Sequence, residues 1–234
     1  MNKLFYSFLT ALFVFSVPTL LIAQESEENQ EYPTTNDALE FLAKMEAKNA
    51  DLETLHGNFV QIRQNEMFLE EIHSTGEFWY TKPDKFRCDY NEPTKAIFYL
   101  IGDTAMFYTP EIKQVEQVRL EQGDSAPIHQ MLVGFGLSLG KITEVFDVKL
   151  SDDQPEDSRL LSIDFISKDE QRTMGFQRII IQFDQTKLEP MALTIYEGDD
   201  LVSIELKEIE KNVEIDEERF EPEFPDDVEI IPYQ

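Results

Sequence analysis

The sequence holds little of the chemistry that enzymes and metal proteins use. Among its 234 residues there is one cysteine, Cys88, so an intramolecular disulfide is excluded. The three histidines, His56, His73 and His129, are too scattered to indicate a zinc site. No phosphate-binding loop or dinucleotide fingerprint is present. The composition therefore favours a binding protein over an enzyme, and no metal or cofactor is expected.

One segment does match a catalytic pattern. Residues 136–140 read Gly-Leu-Ser-Leu-Gly, which fits the nucleophile elbow of esterases. That motif needs a strand before the serine and a histidine further along the chain. All three histidines precede Ser138, and the segment before it has helical spacing. Ser138 is therefore interpreted as a helix cap.

Basic residues are scarce as well. The chain has 20 Lys and Arg against 47 Asp and Glu, a formal net charge of −27. Such a charge opposes binding to nucleic acid and to anionic lipid surfaces. Solubility alone would explain it, and so would a soluble carrier that must not adhere to membranes.

The N-terminus has the layout of a secretory signal peptide. Lys3 precedes a largely apolar run over residues 4–22, and acidic sequence follows soon after Ala23. An uncleaved membrane anchor is the alternative, because a run of this length can just span a bilayer, although Pro18 argues against it. The expected organisation is a signal peptide at 1–23, a disordered acidic lead-in at 24–33 and one domain at 34–234.

Apolar spacing predicts one helix followed by many short strands. Ala38, Phe41, Leu42, Met45 and Leu52 recur at roughly helical intervals, and the helix should end before Gly57. The segments that follow are strand-like and lie close together, which favours antiparallel hairpins. The predicted strands are 55–63, 71–80, 85–90, 96–101, 105–109, 114–120, 159–167, 176–184, 191–197 and 201–212.

Residues 125–146 interrupt the strand pattern with two short apolar helices. Pro127 can open the first, and Ser138 would cap the second, which would bear Ile142 and Phe146. The first helix would place four apolar residues on one face: Ile128, Met131, Leu132 and Phe135.

Some strands are apolar on both faces, most clearly 96–101 and 179–181. A sheet with one face in water would alternate instead. We therefore expect a strongly bent antiparallel sheet or partial barrel with helices on its concave side. The concavity is either a filled core or a ligand cavity, and the sequence leaves both open.

A set of short motifs adds a resemblance to a known family. The motifs are Phe59-Val60-Gln61, GEFWYTKPDKFR at 76–87, Tyr90-Asn91-Glu92-Pro93, Gly102-Asp103, Phe107-Tyr108-Thr109-Pro110 and FEPEFP at 220–225. In their order and spacing they resemble the outer-membrane lipoprotein carrier family, the LolA-like periplasmic lipoprotein chaperones. The resemblance implies a mainly β (α+β) fold: an incomplete, strongly curved antiparallel β-barrel of about eleven strands, with an N-terminal helix and a short-helix lid.

The resemblance also implies a function. It is that of a periplasmic carrier that shields the acyl chains of lipoproteins in a hydrophobic cavity and ferries them from the inner to the outer membrane. The implied partners are acylated lipoproteins, an inner-membrane ABC transporter and an outer-membrane lipoprotein receptor, with the protein acting as a monomer. A carrier of another lipid, or a lipid-sensing regulatory binding domain on the same scaffold, remains an alternative.

Site residues follow from the resemblance alone. Lys82, just before Pro83, matches a basic position and is expected to contact or gate the lid, unless it is simply exposed at a strand end. The inner face of the lid would be formed by Ile128, Met131, Leu132 and Phe135, whose ordinary role would be core packing. The acyl cavity would be lined by Phe78, Tyr80, Phe86, Cys88 and Tyr90.

Overall fold

The computed structural model describes residues 36–65, 68–119, 139–173 and 175–233. Within these ranges lie two α-helices, α1 (Asn36–Lys48) and α2 (Leu139–Val145). The strands are β1 (Thr54–Asn65), β2 (Phe68–Thr81), β3 (Lys85–Glu92), β4 (Ala96–Ile101), β5 (Thr104–Thr109), β6 (Gln114–Arg119), β7 (Phe146–Leu150), β8 (Leu160–Ser167), β9 (Phe176–Asp184), β10 (Glu189–Glu197), β11 (Asp200–Lys211) and β12 (Glu229–Tyr233).

All twelve strands belong to one curved sheet with the order β12-β6-β5-β4-β3-β2-β1-β11-β10-β9-β8-β7. Neighbours are antiparallel except β12 and β6, which run parallel. The end strands β12 and β7 do not pair within the described ranges, so the sheet is not closed. The predicted incomplete barrel is confirmed, with twelve strands rather than about eleven and one parallel pair.

Two strands differ from the sequence prediction. Phe146 was expected in the second short helix, but α2 ends at Val145 and Phe146 opens β7, opposite Ser167. Its four-residue spacing from Ile142 suits a helix, whereas the burial of Phe146 and Val148 follows the two-residue period of a strand. Strand β12 was not predicted, because it is short and contains Pro232.

Helix α1 covers one half of the concave side, here called the inner face. Its residues Ala38, Phe41, Leu42 and Met45 are buried, and the Phe41 ring centroid lies 5.3 Å from that of Phe183 on β9. Fully burying a large apolar side chain contributes about 1.5–3 kcal/mol. The predicted helix is confirmed, and it packs on the sheet through its apolar face. It ends at Lys48, however, so Leu52 is buried in the connection to β1 and not on the helix.

The C-terminal segment covers part of the opposite, outer face. Phe224 packs on the rings of Tyr99 and Tyr108, with centroids 6.4 and 5.1 Å away. The Arg219 guanidinium lies 4.1 Å from the centre of the Trp79 ring. The packing of the C-terminal segment explains why the outer face of β4 is apolar as well as its inner face.

Several predictions fall outside the described residues. They are the signal peptide, the acidic lead-in, the cap at Ser138 and the lid residues Ile128, Met131, Leu132 and Phe135. In the part of the chain that the structure describes, no helix is both long and apolar enough to cross a membrane.

Candidate functional site

Strands β2 and β3 bring the five predicted cavity residues together. Phe78 pairs with Cys88, Tyr80 pairs with Phe86, and Tyr90 is opposite Gly76. Alternate residues of a strand share a face, so all five side chains lie on the inner face. They are members of the buried core or pack directly against it.

These residues belong to a larger band of rings that crosses the sheet from β1 to β5. The ring contacts form two runs. Phe59, Tyr90 and Phe107 have neighbouring centroids 5.1 and 6.2 Å apart. Phe78, Phe86 and Phe98 have neighbouring centroids 6.3 and 6.2 Å apart, and the two runs meet where Phe98 lies opposite Phe107. We call this band the aromatic strip; its members are Phe59, Phe78, Phe86, Tyr90, Phe98 and Phe107. Such rings contribute large apolar areas for packing or for binding.

Three members of the strip, Phe59, Phe98 and Phe107, were not predicted as site residues. The apolar character of β4 was the available signal for Phe98. Phe107 lies opposite Phe98 in the β4–β5 ladder, and Phe59 lies opposite Gly76 in the β1–β2 ladder. Their membership depends on this register, which single-strand patterns do not reveal.

Gly76 lies between Phe59 of β1 and Tyr90 of β3, so the contact between these two rings passes over β2 at this residue. A Cβ added there would lie 2.2 Å from the Asp89 carbonyl oxygen and 2.6 Å from the Phe59 ring. Both distances are too short for any side chain. Only glycine lets Phe59 and Tyr90 meet edge to face above this strand.

Burial favours the uncharged forms of the titratable groups in this region. Burial raises the pKa of the Cys88 thiol well above its usual value, and Asp89 adds to the effect. Burial also raises the pKa of Tyr90, whose hydroxyl donates to Gln61 Oε1 at 3.2 Å. At the far edge, opposite Phe107, burial raises the pKa of Glu116. The strip is therefore a surface suited to hydrocarbon.

Lys82 lies in the turn between β2 and β3, away from the strip. Its ammonium group donates to the Ala50 carbonyl oxygen at 3.3 Å and is 4.0 Å from the Glu53 carboxylate. Both partners are in the connection from α1 to β1. These contacts tie the turn to that connection, and a role in gating stays a prediction.

Polar features of the outer face are separate from the strip. A surface depression of about 410 Å³ is lined by Arg87, Tyr99, Arg219 and acidic residues of the C-terminal segment. His56 stacks on Trp79, with ring centroids 5.3 Å apart. Among the described residues, no group of three or more His, Cys, Asp or Glu side chains is placed to hold a metal ion.

Comparison with known proteins identifies the family. The model of the family "outer membrane lipoprotein carrier protein LolA" matches residues 50–223, which include the whole aromatic strip. The chain belongs to the LolA family. The resemblance seen in the sequence motifs is thereby confirmed.

Curated relatives agree with the LolA assignment. An outer-membrane lipoprotein carrier protein of Alkalilimnicola ehrlichii is 28% identical over 77% of this chain and 78% of its own. The carrier protein of Methylococcus capsulatus is 27% identical over 76% and 81%. Among solved structures, an uncharacterized conserved protein of Thermus thermophilus is 10% identical and covers 85% of this chain and all of its own, with a TM-score of 0.52. That likeness concerns the fold alone.

Proposed function

We propose that this protein is a periplasmic carrier that shields the acyl chains of lipoproteins between the inner and the outer membrane. The observation that carries the proposal is the aromatic strip, a continuous apolar surface on the inner face of a LolA-family sheet. The proposed partners are acylated lipoproteins, an inner-membrane ABC transporter that loads the carrier and an outer-membrane receptor that unloads it. The protein would act without a cofactor and without catalysis.

The free energies involved favour a binding surface that is covered when empty. Each buried methylene contributes about 0.8 kcal/mol, so one 16-carbon chain represents roughly 12 kcal/mol of exposure to avoid. The ring members of the strip are themselves mostly buried, as Phe78 and Phe86 show at 3% and 4% exposure. Ligand must therefore displace existing apolar contacts. This competition lowers the net affinity and permits release to the next acceptor.

The lid residues Ile128, Met131, Leu132 and Phe135 remain part of this proposal. They carry the apolar side chains that would compete with ligand for the strip. Met131 is unbranched and polarizable, and it suits a surface that must accept different neighbours. Substituting Leu132 by Glu should keep the fold and weaken acyl binding.

The first experiment adds purified residues 24–234 to spheroplasts of the source bacterium and measures acylated lipoproteins released into the supernatant. Phe107 and Met106 offer a matched pair of variants, because they are neighbours on β5, both half-buried, and point to opposite faces. Phe107→Glu should abolish release and weaken binding of a fluorescent acyl probe at least tenfold. Met106→Glu, on the outer face, should retain both.

The outcomes separate the possible functions. Stoichiometric release, absent with an unrelated acidic protein, supports the lipoprotein carrier. Probe binding without release would assign the strip to another lipid and contradict the lipoprotein cargo. Absence of probe binding by a folded sample would show that the strip is only a core.

A further inference from the structure

The inner face is not apolar over its whole length. Its last row of residues, across β1, β11 and β10, is polar: Asn65 pairs with Asp200, and Asp200 pairs with Glu197. The row before it contains Arg63 beside two core residues, Val202 and Ile195. We call Arg63, Asn65, Glu197 and Asp200 the polar end of the inner face.

Two of these side chains, those of Arg63 and Asn65, donate hydrogen bonds to a third, that of Asp200. The guanidinium group of Arg63 and the amide of Asn65 donate to different oxygens of the Asp200 carboxylate. The Arg63 side chain is 11% exposed and that of Asp200 is 8% exposed, so the pair is shielded from water. An ion pair in such a place is costly to bury and gives weak grounds for stability by itself.

Glu197 carries a buried oxygen atom that can still accept a hydrogen bond. It is 8% exposed, and its Oε2 atom is buried and accepts no hydrogen bond from the described residues. The Gly175 backbone lies close to the same side chain: a Cβ added to Gly175 would be 3.9 Å from Glu197 Oε1. A buried oxygen without a donor costs about 1–3 kcal/mol, so a donor supplied by a ligand would recover that cost.

Strand β1 connects this polar end directly to the aromatic strip. Phe59, Gln61, Arg63 and Asn65 follow one another on its inner side. Gln61 accepts the hydrogen bond of Tyr90, which is a strip residue. Phe59 and Arg63 are four residues apart, or roughly 13 Å along an extended strand. An elongated ligand could therefore lie on the strip and reach the polar end with its head group.

We propose that the polar end binds the head group of an acyl ligand through an N–H donor, from an amide or an ammonium group, that Glu197 accepts. The inference rests on the proposed function, because the strip must hold the chain. Above pH 7 Glu197 is ionised, and two carboxylates then accompany one guanidinium at this end, so an anionic head group would be repelled. An ester lacks the donor and would leave Glu197 Oε2 as it is.

The test compares ligands that differ only in the donor. N-dodecylacetamide and dodecyl acetate have equal length, and dodecylammonium adds a charge to the same chain. At pH 8, where Glu197 is ionised, each would displace N-phenyl-1-naphthylamine, an apolar fluorophore, from the full protein after residue 23. The wild type should bind the amide about tenfold more tightly than the ester. Comparing dodecylammonium with N-dodecylacetamide shows whether a positive charge on the donor strengthens binding further.

Two variants test whether the preference for the amide over the ester depends on Glu197. Glu197→Met places an apolar side chain on the core side of β10 and should make amide and ester bind equally. Glu205→Met is the same change on the outer side of β11, where Glu205 is exposed, and should keep the tenfold ratio. Equal binding of the two ligands by the wild type, or a ratio that persists in Glu197→Met, would overturn the proposal. Failure of every ligand to displace the fluorophore would overturn the acyl-binding function as well.

Discussion

The stability of this protein should depend on pH through one buried carboxyl group, Glu197. Burial raises its pKa from 4.5 to about 7; the charge of Arg63 opposes this rise and that of Asp200 adds to it. Because the folded-state pKa is raised, the native state holds a proton on Glu197 at pH values where the unfolded state has lost it. This contribution to stability is present at low pH and is lost as the pH rises through 7.

The magnitude follows from the difference between the two pKa values. Each pKa unit corresponds to 1.36 kcal/mol, so the wild type should lose about 2–3 kcal/mol from this group between pH 5 and pH 8. Glu197→Gln has no proton to lose. The free energy of unfolding of the variant, relative to the wild type, should therefore rise by about 2–3 kcal/mol over that range.

Urea denaturation at several pH values measures this difference. Trp79 is the single tryptophan and is 7% exposed, so its fluorescence reports unfolding without a label. Taking the difference between variant and wild type removes the contribution of every group that does not interact with residue 197. Glu205→Gln on the exposed side of the same hairpin controls for the loss of one negative charge. A difference that stays constant to within about 0.5 kcal/mol from pH 5 to pH 8 would refute the reasoning.

Two further predictions concern residues of β2 and β3 on the inner face. Gly76→Ala should lower the free energy of unfolding by about 1–3 kcal/mol, because its Cβ collides with the Asp89 backbone and the Phe59 ring. Gly140→Ala on α2, where nothing lies within 4 Å of the added Cβ, should leave the melting temperature unchanged or raised. The Cys88 thiol should not react with a water-soluble disulfide reagent until urea unfolds the protein, and rapid reaction of the native protein would contradict its burial.

Much of the fold could be predicted because local signals agree with it. The bounds of β4 and β9 match the predicted segments 96–101 and 176–184, since turn residues punctuate both. The strand β7 was missed because Ile142 and Phe146 also fit one helical face. The curved sheet was inferred from the two-sided apolar pattern of β4, and the structure explains the apolar outer face of that strand by the C-terminal segment that packs on it.

The site was less predictable because it depends on contacts between distant strands. The resemblance supplied Phe78, Phe86 and Tyr90, yet the partners Phe59 and Phe98 enter only through the register of β1 and β4. The polar end is even harder to predict from the sequence. In a chain with 47 acidic residues, Glu197 resembles any other surface carboxylate, and only the β10–β11–β1 pairing places it on the core side.

The inner face has two halves, one that stabilises the domain and one that offers a binding surface. Helix α1 packs on the β7 to β10 half, where Phe41 meets Phe183, and those contacts hold the fold together. The aromatic strip occupies the β1 to β5 half. A ligand that displaced contacts of the strip would thus leave the α1 contacts in place. The polar end lies on β1, β11 and β10, where the two halves meet. A head group bound there would meet side chains that hydrogen bonds to Asp200 already position, so the ordering cost of binding it would be small.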